Sequence, residues 1–153
     1  MTKMSGSQAL VKSLHKEGIR IVFGLPGIHI YSILDSIYDE QDIQFITTRH
    51  EQAASYMAFG YSKTGKGIGT ALVVPGPGLF NASAGIGTAY AASSPILVIS
   101  GQNNKNTIGL NRGELHEVND QLDTVKPITK WASRITTASQ IPAGVQEAFI
   151  NLR

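Results

Sequence analysis

An acidic side chain, Glu51, lies at the junction of a predicted strand and a predicted helix. The apolar, β-branched run at residues 43–47 predicts the strand. After it, apolar residues recur at helical spacing, at Ala53, Ala54, Met57, Ala58 and Tyr61. Open α/β sheets bind their ligands at this end of the strands. Two interpretations stay open: a carboxylate that exchanges a proton in a site, or an acid favoured only by the helix dipole.

Two glycine-rich segments could form ligand loops. Gly65-Lys66-Gly67-Ile68-Gly69 has the wrong spacing for a dinucleotide loop, and it precedes a predicted strand instead of following one. Pro75-Gly76-Pro77-Gly78 does follow a strand and begin a helix, but it lacks the Lys-Ser/Thr pair of a phosphate-binding loop. It is either a tight strand-to-helix turn or a backbone held open for a flat ligand.

Four histidines are the other candidates for chemistry. His15 is expected on a solvated helix face, and His50 as a helix cap. His29 and His116 are expected at the same end of the sheet as Glu51. No pair has the helical spacing of metal ligands, so we do not expect a zinc site. No serine lies in a nucleophile elbow, which argues against a hydrolase.

The order of apolar runs and turns predicts the fold class. We expect helices at residues 7–16, 28–38, 51–61, 79–92 and 141–152, and strands at residues 19–23, 43–47, 70–74, 95–100 and 128–135. A polar loop with a short helix near Glu114 is expected between them. This alternation is typical of an α/β protein with an open, doubly wound, mainly parallel sheet and helices on both faces.

Composition limits the function classes. A chain of 153 residues is long enough for one domain with a sizeable core. The net charge of +2, without a basic patch, argues against a nucleic-acid partner. No cysteine is present, which removes disulfides and thiolate chemistry. No secretory signal or membrane span is recognisable, so we expect a cytoplasmic protein without a membrane partner. We expect residues 1–153 to be a single domain excised from a longer protein.

A series of short motifs follows along the chain. They are Phe23-Gly24-Leu25-Pro26-Gly27, Arg49-His50-Glu51-Gln52-Ala53-Ala54 with Gly60-Tyr61, Gly76-Pro77-Gly78 with Asn81, Ser94-Pro95, Ser100-Gly101-Gln102 and Pro127-Ile128-Thr129-Lys130. In this order the series resembles the N-terminal, pyrimidine-binding domain of thiamine diphosphate enzymes. Within that family it is most similar to acetolactate synthase and its relatives, including benzaldehyde lyase. Each motif alone is weak, whereas the ordered set covers nearly the whole chain and is specific.

The resemblance implies a site. Glu51 would hydrogen-bond a nitrogen of the aminopyrimidine ring and so drive the proton transfers that activate the cofactor toward a 2-oxo acid or an aldehyde. The ring pocket would be lined by Pro26, Gly27, Val74, Pro77 and Asn81. His29 stands where benzaldehyde lyase has a histidine. It is either an acid/base group or a residue that lines the wall of the pocket.

The sequence departs from the acetolactate synthases at two places. Those enzymes commonly have Thr at the position of Val74. They usually have Phe-Gln-Glu where this chain has Leu115-His116-Glu117. The second difference is the more serious, because the resemblance turns this loop toward the reacting centre. His116 is therefore a third candidate catalytic residue, beside Glu51 and His29.

The resemblance places the diphosphate and its Mg²⁺ on another domain, of the same or a partner chain. No Gly-Asp-Gly followed by a metal-binding Asn occurs here. We therefore expect no metal ligands in this chain, no activity of the chain alone, and a homodimer or tetramer in the whole enzyme. Whether FAD is also bound stays open. The alternatives are a non-catalytic binding domain that has kept the fold, and a separate subunit of a two-chain 2-oxo acid decarboxylase.

Overall fold

The computed structural model describes residues 3–153 and contains one parallel sheet. Its strands are β1 (Ile21–Gly24), β2 (Gln44–Thr47), β3 (Gly69–Val73) and β4 (Ile96–Ser100). The order of the strands across the sheet is β2-β1-β3-β4, and each neighbouring pair is parallel. The helices are α1 (Gly6–Lys16), α2 (Tyr31–Asp39), α3 (Glu51–Lys63), α4 (Pro77–Ala91), α5 (Gln121–Val125) and α6 (Ile141–Leu152). The predicted α/β fold is confirmed.

The two faces of β3 pack into different cores because successive side chains of a strand point to opposite sides. Leu72 packs in a cluster with residues of α1, α2 and α6. Its neighbours Ala71 and Val73 pack in clusters with residues of α3 and α4. All five residues of β3 are buried, as expected of a parallel strand covered on both faces. Helices therefore cover both faces of the sheet, as predicted.

Helices α3 and α4 lie close together because their facing residues are small. A Cβ atom added to Gly85 of α4 would lie 2.3 Å from Ser55 Oγ of α3. Tyr56 Oη and Thr88 Oγ1, 3.2 Å apart, form a hydrogen bond between the same two helices. The small residues of α4 therefore let the backbone of α3 approach closely.

Several predicted boundaries were wrong. The second helix is preceded by a 3-10 turn at Ile28–Ile30. α4 begins at Pro77 instead of residue 79, since the fixed φ of proline suits the first helical turn. The short helix expected near Glu114 lies at Gln121–Val125, where the Asp120 side chain caps it. Within residues 3–153, no helix is long and apolar enough to cross a membrane.

The strand predicted at residues 128–135 is also wrong. The segment starts in a 3-10 turn, Lys126–Ile128, and continues as chain without strand pairing. An apolar cavity of about 920 Å³ is lined by β4 on one side and by residues 129–138 on another. The segment has the composition of a strand, but a strand needs a neighbouring backbone for its hydrogen bonds, and here it faces the cavity instead.

Candidate functional site

Glu51 is the first residue of α3 and is 6% exposed. His50 precedes it as the N-cap, and its Nδ1 atom accepts a hydrogen bond of 3.2 Å from the backbone N–H of Gln52. The interpretation of His50 as a cap is therefore confirmed. The buried hydroxyl of Thr48 donates to the carbonyl of Gly24 over 3.2 Å, which ties the start of α3 to the end of β1. These contacts fix the backbone that carries the carboxylate.

The Glu51 carboxylate has one oxygen bound and one free. Asn81 Nδ2, from α4, donates a hydrogen bond of 3.0 Å to Glu51 Oε2. Among residues 3–153, Oε1 accepts no hydrogen bond, and it lies 3.3 Å from the place that a Cβ of Gly78 would occupy. A buried carboxylate is costly unless a polar partner stabilises it. The free oxygen is therefore suited to a ligand that brings a hydrogen-bond donor.

Two glycines flank Val74, which follows β3 and is buried. A Cβ atom on Gly27 would lie 2.4 Å from Val74 Cγ1, and one on Gly78 would lie 2.6 Å from Val74 Cγ2. No other residue fits at either position without movement of the valine. We call Gly27, Glu51, Val74, Gly78 and Asn81 together the glycine-lined pocket.

The predicted ring-binding residues thus fall into two groups. Gly27, Val74 and Asn81 join Glu51 in the glycine-lined pocket. Pro26 and Pro77 are exposed and stand directly beside its glycines in the chain. Gly78 was missed as a pocket residue, although it belongs to the glycine-rich turn that the sequence analysis singled out.

The turn between β3 and α4 requires its glycine. Gly76 has φ 56° and ψ −113°, a conformation that residues with a side chain rarely adopt. A Cβ atom there would also lie 2.5 Å from the carbonyl oxygen of His116. The turn is therefore both a tight connection and a place where the long loop after β4 packs against the backbone.

His29 and His116 come together at the same edge of the sheet. Their rings stack with centroids 5.2 Å apart and planes inclined by 26°. Both Nδ1 atoms are buried and have no hydrogen-bond partner within the described part of the chain. His116 has φ 63°, a left-handed conformation that is uncommon for a residue with a Cβ. The predicted candidates therefore form one histidine pair.

His15 lies elsewhere. It is half-buried and bonded to Asp42 over 3.1 Å, and it does not lie on a freely solvated face as predicted.

The sequence analysis missed Gln121, the first residue of α5, which is 7% exposed. Its Oε1 atom accepts from the backbone N–H of Gly76 over 3.1 Å. Its Nε2 atom donates to Ser100 Oγ and to the carbonyl of Gly101, both over 3.1 Å. The available signal was Asp120, a typical N-cap residue directly before it; nothing about a lone glutamine distinguished Gln121 itself.

Asp120 caps the start of α5 through hydrogen bonds to its carboxylate. Its carboxylate accepts hydrogen bonds from the backbone N–H groups of Leu122 over 2.9 Å and Asp123 over 3.2 Å. The bond from Asp123 is the largest cause that holds the pKa of Asp120 below its ordinary value, and the nearby charge of Arg134 acts in the same direction. The helix that carries Gln121 therefore begins at an ionised cap.

The glycine-lined pocket offers a ligand one free acceptor atom beside an apolar wall. Its glycines let the backbone pack directly on the Val74 methyl groups, and Glu51 Oε1 accepts no hydrogen bond among residues 3–153. No lysine, arginine or glycine-rich phosphate loop belongs to the pocket, so it is suited to the uncharged part of a ligand.

Comparison with known proteins agrees with this geometry. The family model described as "Thiamine pyrophosphate enzyme, N-terminal TPP binding domain" matches residues 4–124. The acetolactate synthase large subunit of Haemophilus influenzae is 40% identical over 149 residues, which is 97% of this chain and 26% of that protein. A probable 2-ketoarginine decarboxylase of Pseudomonas aeruginosa is 37% identical over 146 residues, 95% of this chain and 26% of that protein.

A third relative, the acetolactate synthase large subunit of Lactococcus lactis, is 38% identical over 145 residues, 95% of this chain and 25% of that protein. The chain thus spans about a quarter of the length of the curated relatives that it matches. Both the family match and the identities extend over Glu51 and the glycine-lined pocket. The chain belongs to the family of N-terminal thiamine pyrophosphate-binding domains of thiamine pyrophosphate enzymes.

Proposed function

We propose that this chain binds and activates the aminopyrimidine end of thiamine diphosphate in an enzyme that decarboxylates 2-oxo acids or ligates carbonyl compounds, as acetolactate synthases do. The observation that carries the proposal is the buried Glu51 carboxylate, with Oε2 bound to Asn81 and Oε1 free beside Gly78. A scaffold domain has no use for a buried acid of this kind, since its burial costs stability.

Each residue of the glycine-lined pocket has a task in this proposal. Glu51 holds a proton between Oε1 and a nitrogen of the ring, as a general acid–base group does. Asn81 fixes the orientation of the carboxylate through the bond to Oε2. Val74 packs against the ring, and Gly27 and Gly78 let the backbone lie close enough to hold Val74 in place. When bound, thiamine diphosphate supplies the electron sink for the carbon–carbon chemistry.

The histidine pair belongs to the substrate side of the site. His29 and His116 bring imidazoles, which donate and accept protons near neutral pH, to the edge where Glu51 lies. We assign them the roles of acid and base toward the oxygen of the 2-oxo acid or aldehyde. The diphosphate, its Mg²⁺ and FAD, where present, are assigned to the remaining three quarters of the enzyme. Our proposal gives them no ligand in residues 3–153.

The proposal also gives α3 and α4 an assembly role. Four large apolar side chains of these helices are at least 40% exposed: Tyr56, Met57, Phe80 and Tyr90. Exposed apolar groups of this size on neighbouring helices are typical of a protein–protein contact. We expect the chain to form a two-fold dimer through them.

Light scattering should give twice the mass of the chain, and Met57→Glu should restore the monomer. A monomer at high concentration for the unchanged chain contradicts this assignment.

The experiment for the catalytic proposal uses the full-length enzyme and its Glu51→Gln variant. The amide keeps the size of the side chain but cannot exchange a proton with the ring nitrogen in the same way. With cofactor saturating, exchange of the thiazolium carbon-bound proton for deuterium should slow by roughly 10²–10⁴-fold, the usual contribution of general acid–base catalysis. Cofactor affinity should fall much less, since Asn81 and Val74 remain.

Two controls complete this experiment. Glu40→Gln removes a carboxylate at the other end of the sheet and should leave the exchange rate unchanged. Residues 1–153 alone should not accelerate exchange, because the charged groups of the cofactor have their ligands elsewhere in the proposal. An exchange rate in Glu51→Gln equal to that of the unchanged enzyme would remove Glu51 from the mechanism.

A further inference from the structure

Gln121 connects the two halves of the site, and its side chain forms no hydrogen bond with Glu51 or with the histidine rings. Its carboxamide is buried, and it makes three hydrogen bonds to two different parts of the sheet edge. A buried amide of this kind is costly unless its polar atoms are satisfied. Here the bonds join backbone groups that belong to different elements, so the side chain fixes their separation.

The first attachment concerns the glycine-lined pocket. The bond from the Gly76 N–H to Gln121 Oε1 holds the turn from which α4 starts. Two residues further along, Gly78 packs against Val74 and lies beside Glu51 Oε1. A shift of this turn would therefore move the glycine-lined pocket as a unit relative to the end of β4, while the bond between Asn81 and Glu51 inside the pocket is kept.

The second attachment concerns the histidine pair. Gln121 Nε2 bonds Ser100 and Gly101 at the end of β4. A Cβ on Gly101 would lie 3.0 Å from the Cβ of His29 and 3.1 Å from its carbonyl oxygen, so His29 rests directly on this backbone. The carbonyl of His116 in turn packs on Gly76. The histidine pair is thus supported by the same two backbone positions that Gln121 holds.

We propose that Gln121 is a positioning residue that sets the distance between the glycine-lined pocket and the histidine pair, and hence between activated cofactor and substrate. Its effect on turnover rests on the proposed function; its effect on geometry does not. A displacement of about 1 Å between reacting groups can lower a rate by roughly 10²-fold. Three hydrogen bonds from one rigid amide are the means by which this chain prevents such a displacement.

The test uses the 153-residue chain and nuclear magnetic resonance. Gln121→Met keeps the length of the side chain and removes its polar atoms, whereas Gln121→Asn keeps the amide but shortens its reach. In either variant, the cross-relaxation between the His29 and His116 rings should be lost, and the Gly76 amide proton should shift upfield. The Asn81 side-chain amide, which is bonded to Glu51, should keep its signals. Phe149→Leu is the control, since it weakens the core under α6 without touching the site.

The outcomes separate this proposal from the catalytic one. A folded Gln121→Met or Gln121→Asn chain whose ring contact and Gly76 signal match those of the unchanged chain overturns the positioning role. So does Phe149→Leu if it causes the same changes. In the full-length enzyme, Gln121→Asn should lower kcat by roughly 10- to 100-fold and leave thiazolium proton exchange intact, because the Glu51 half is preserved. Unchanged exchange in Glu51→Gln would instead remove the proposed function and leave the geometric result standing.

Discussion

The two sides of the sheet edge differ in how tightly the chain is packed. Around Val74, glycines stand where any Cβ would lie within 2.6 Å of a valine methyl group. Beside β4, in contrast, a cavity of about 920 Å³ separates the strand from the segment after α5. All residues of β3 are buried, whereas all residues of β4 are only half-buried.

This difference shows what each region can tolerate. Close packing holds Glu51 and Asn81 in one arrangement, because a close-packed interior cannot accept a larger side chain unless its neighbours move. On the β4 side, the apolar walls of the cavity make few contacts with each other. A side chain that filled the cavity would add favourable dispersion energy. Substitutions that add volume should therefore have opposite signs in the two regions.

The largest effect is expected from Gly78→Ala. The new Cβ would lie 2.6 Å from Val74 Cγ2, and overpacking of this kind costs about 1–3 kcal/mol of unfolding free energy. Gly60→Ala in α3 is the matched control, because nothing lies within 4 Å of its Cβ position. That change should stabilise the chain by about 0.5–1 kcal/mol through helix propensity. Urea unfolding measures both, and equal effects of the two changes would contradict the tight packing around Val74.

A smaller effect of opposite sign is expected in the cavity. Ala132 lines it, so Ala132→Leu should raise the free energy of unfolding by about 0.5–2 kcal/mol, the usual gain from cavity filling. The same substitution at Ala58, which is 0% exposed and packs under the backbone of Gly69, should destabilise. Thermal unfolding monitored by circular dichroism compares the two. A destabilised Ala132→Leu chain would mean that the cavity is not open to an added side chain.

The smallest effect concerns pH and the start of α5. The pKa of Asp120 is held below its ordinary value in the folded chain, chiefly by the Asp123 N–H. Its contribution to stability is therefore complete above the pKa of the unfolded chain and is lost as the pH falls through the folded pKa. The protection of the Leu122 and Asp123 amides against hydrogen exchange, relative to an unstructured chain at the same pH, should fall below about pH 4. In Asp120→Asn this acid dependence should disappear; its persistence would show that another group controls the helix start.

The sequence was sufficient where local rules and tertiary structure agree. The alternation of β-branched runs with helical patterns predicted the parallel sheet, and the position of Glu51 after a strand predicted its place at the carboxyl ends of the strands. The Asn81 contact to Glu51 could be expected only through the family resemblance, because the two residues lie on different helices. The periodicity of apolar residues along the chain does not predict which residues of two different helices contact each other.

Two failures have clear physical reasons. Residues 128–135 have the composition of a strand but lack a paired neighbour, and pairing is a property of the fold and not of the segment. Gln121 was missed because a single polar side chain acquires its role from two backbone groups and one hydroxyl, which are far away in the sequence. Only the folded chain brings Gly76, Ser100 and Gly101 within reach of one amide.

The left-handed backbone of His116 has an evolutionary consequence. Glu51, Gly78 and Asn81 of the glycine-lined pocket lie near the starts of two long helices, whereas His116 lies in the loop between β4 and α5 and packs on Gly76 through its own carbonyl. Replacement of His116 by asparagine or glycine would suit φ 63° at least as well. The side chain at position 116 can therefore be exchanged for these residues without strain on the backbone. Under the proposed function, a change of substrate could therefore be selected at His116 while the cofactor-activating residues are kept.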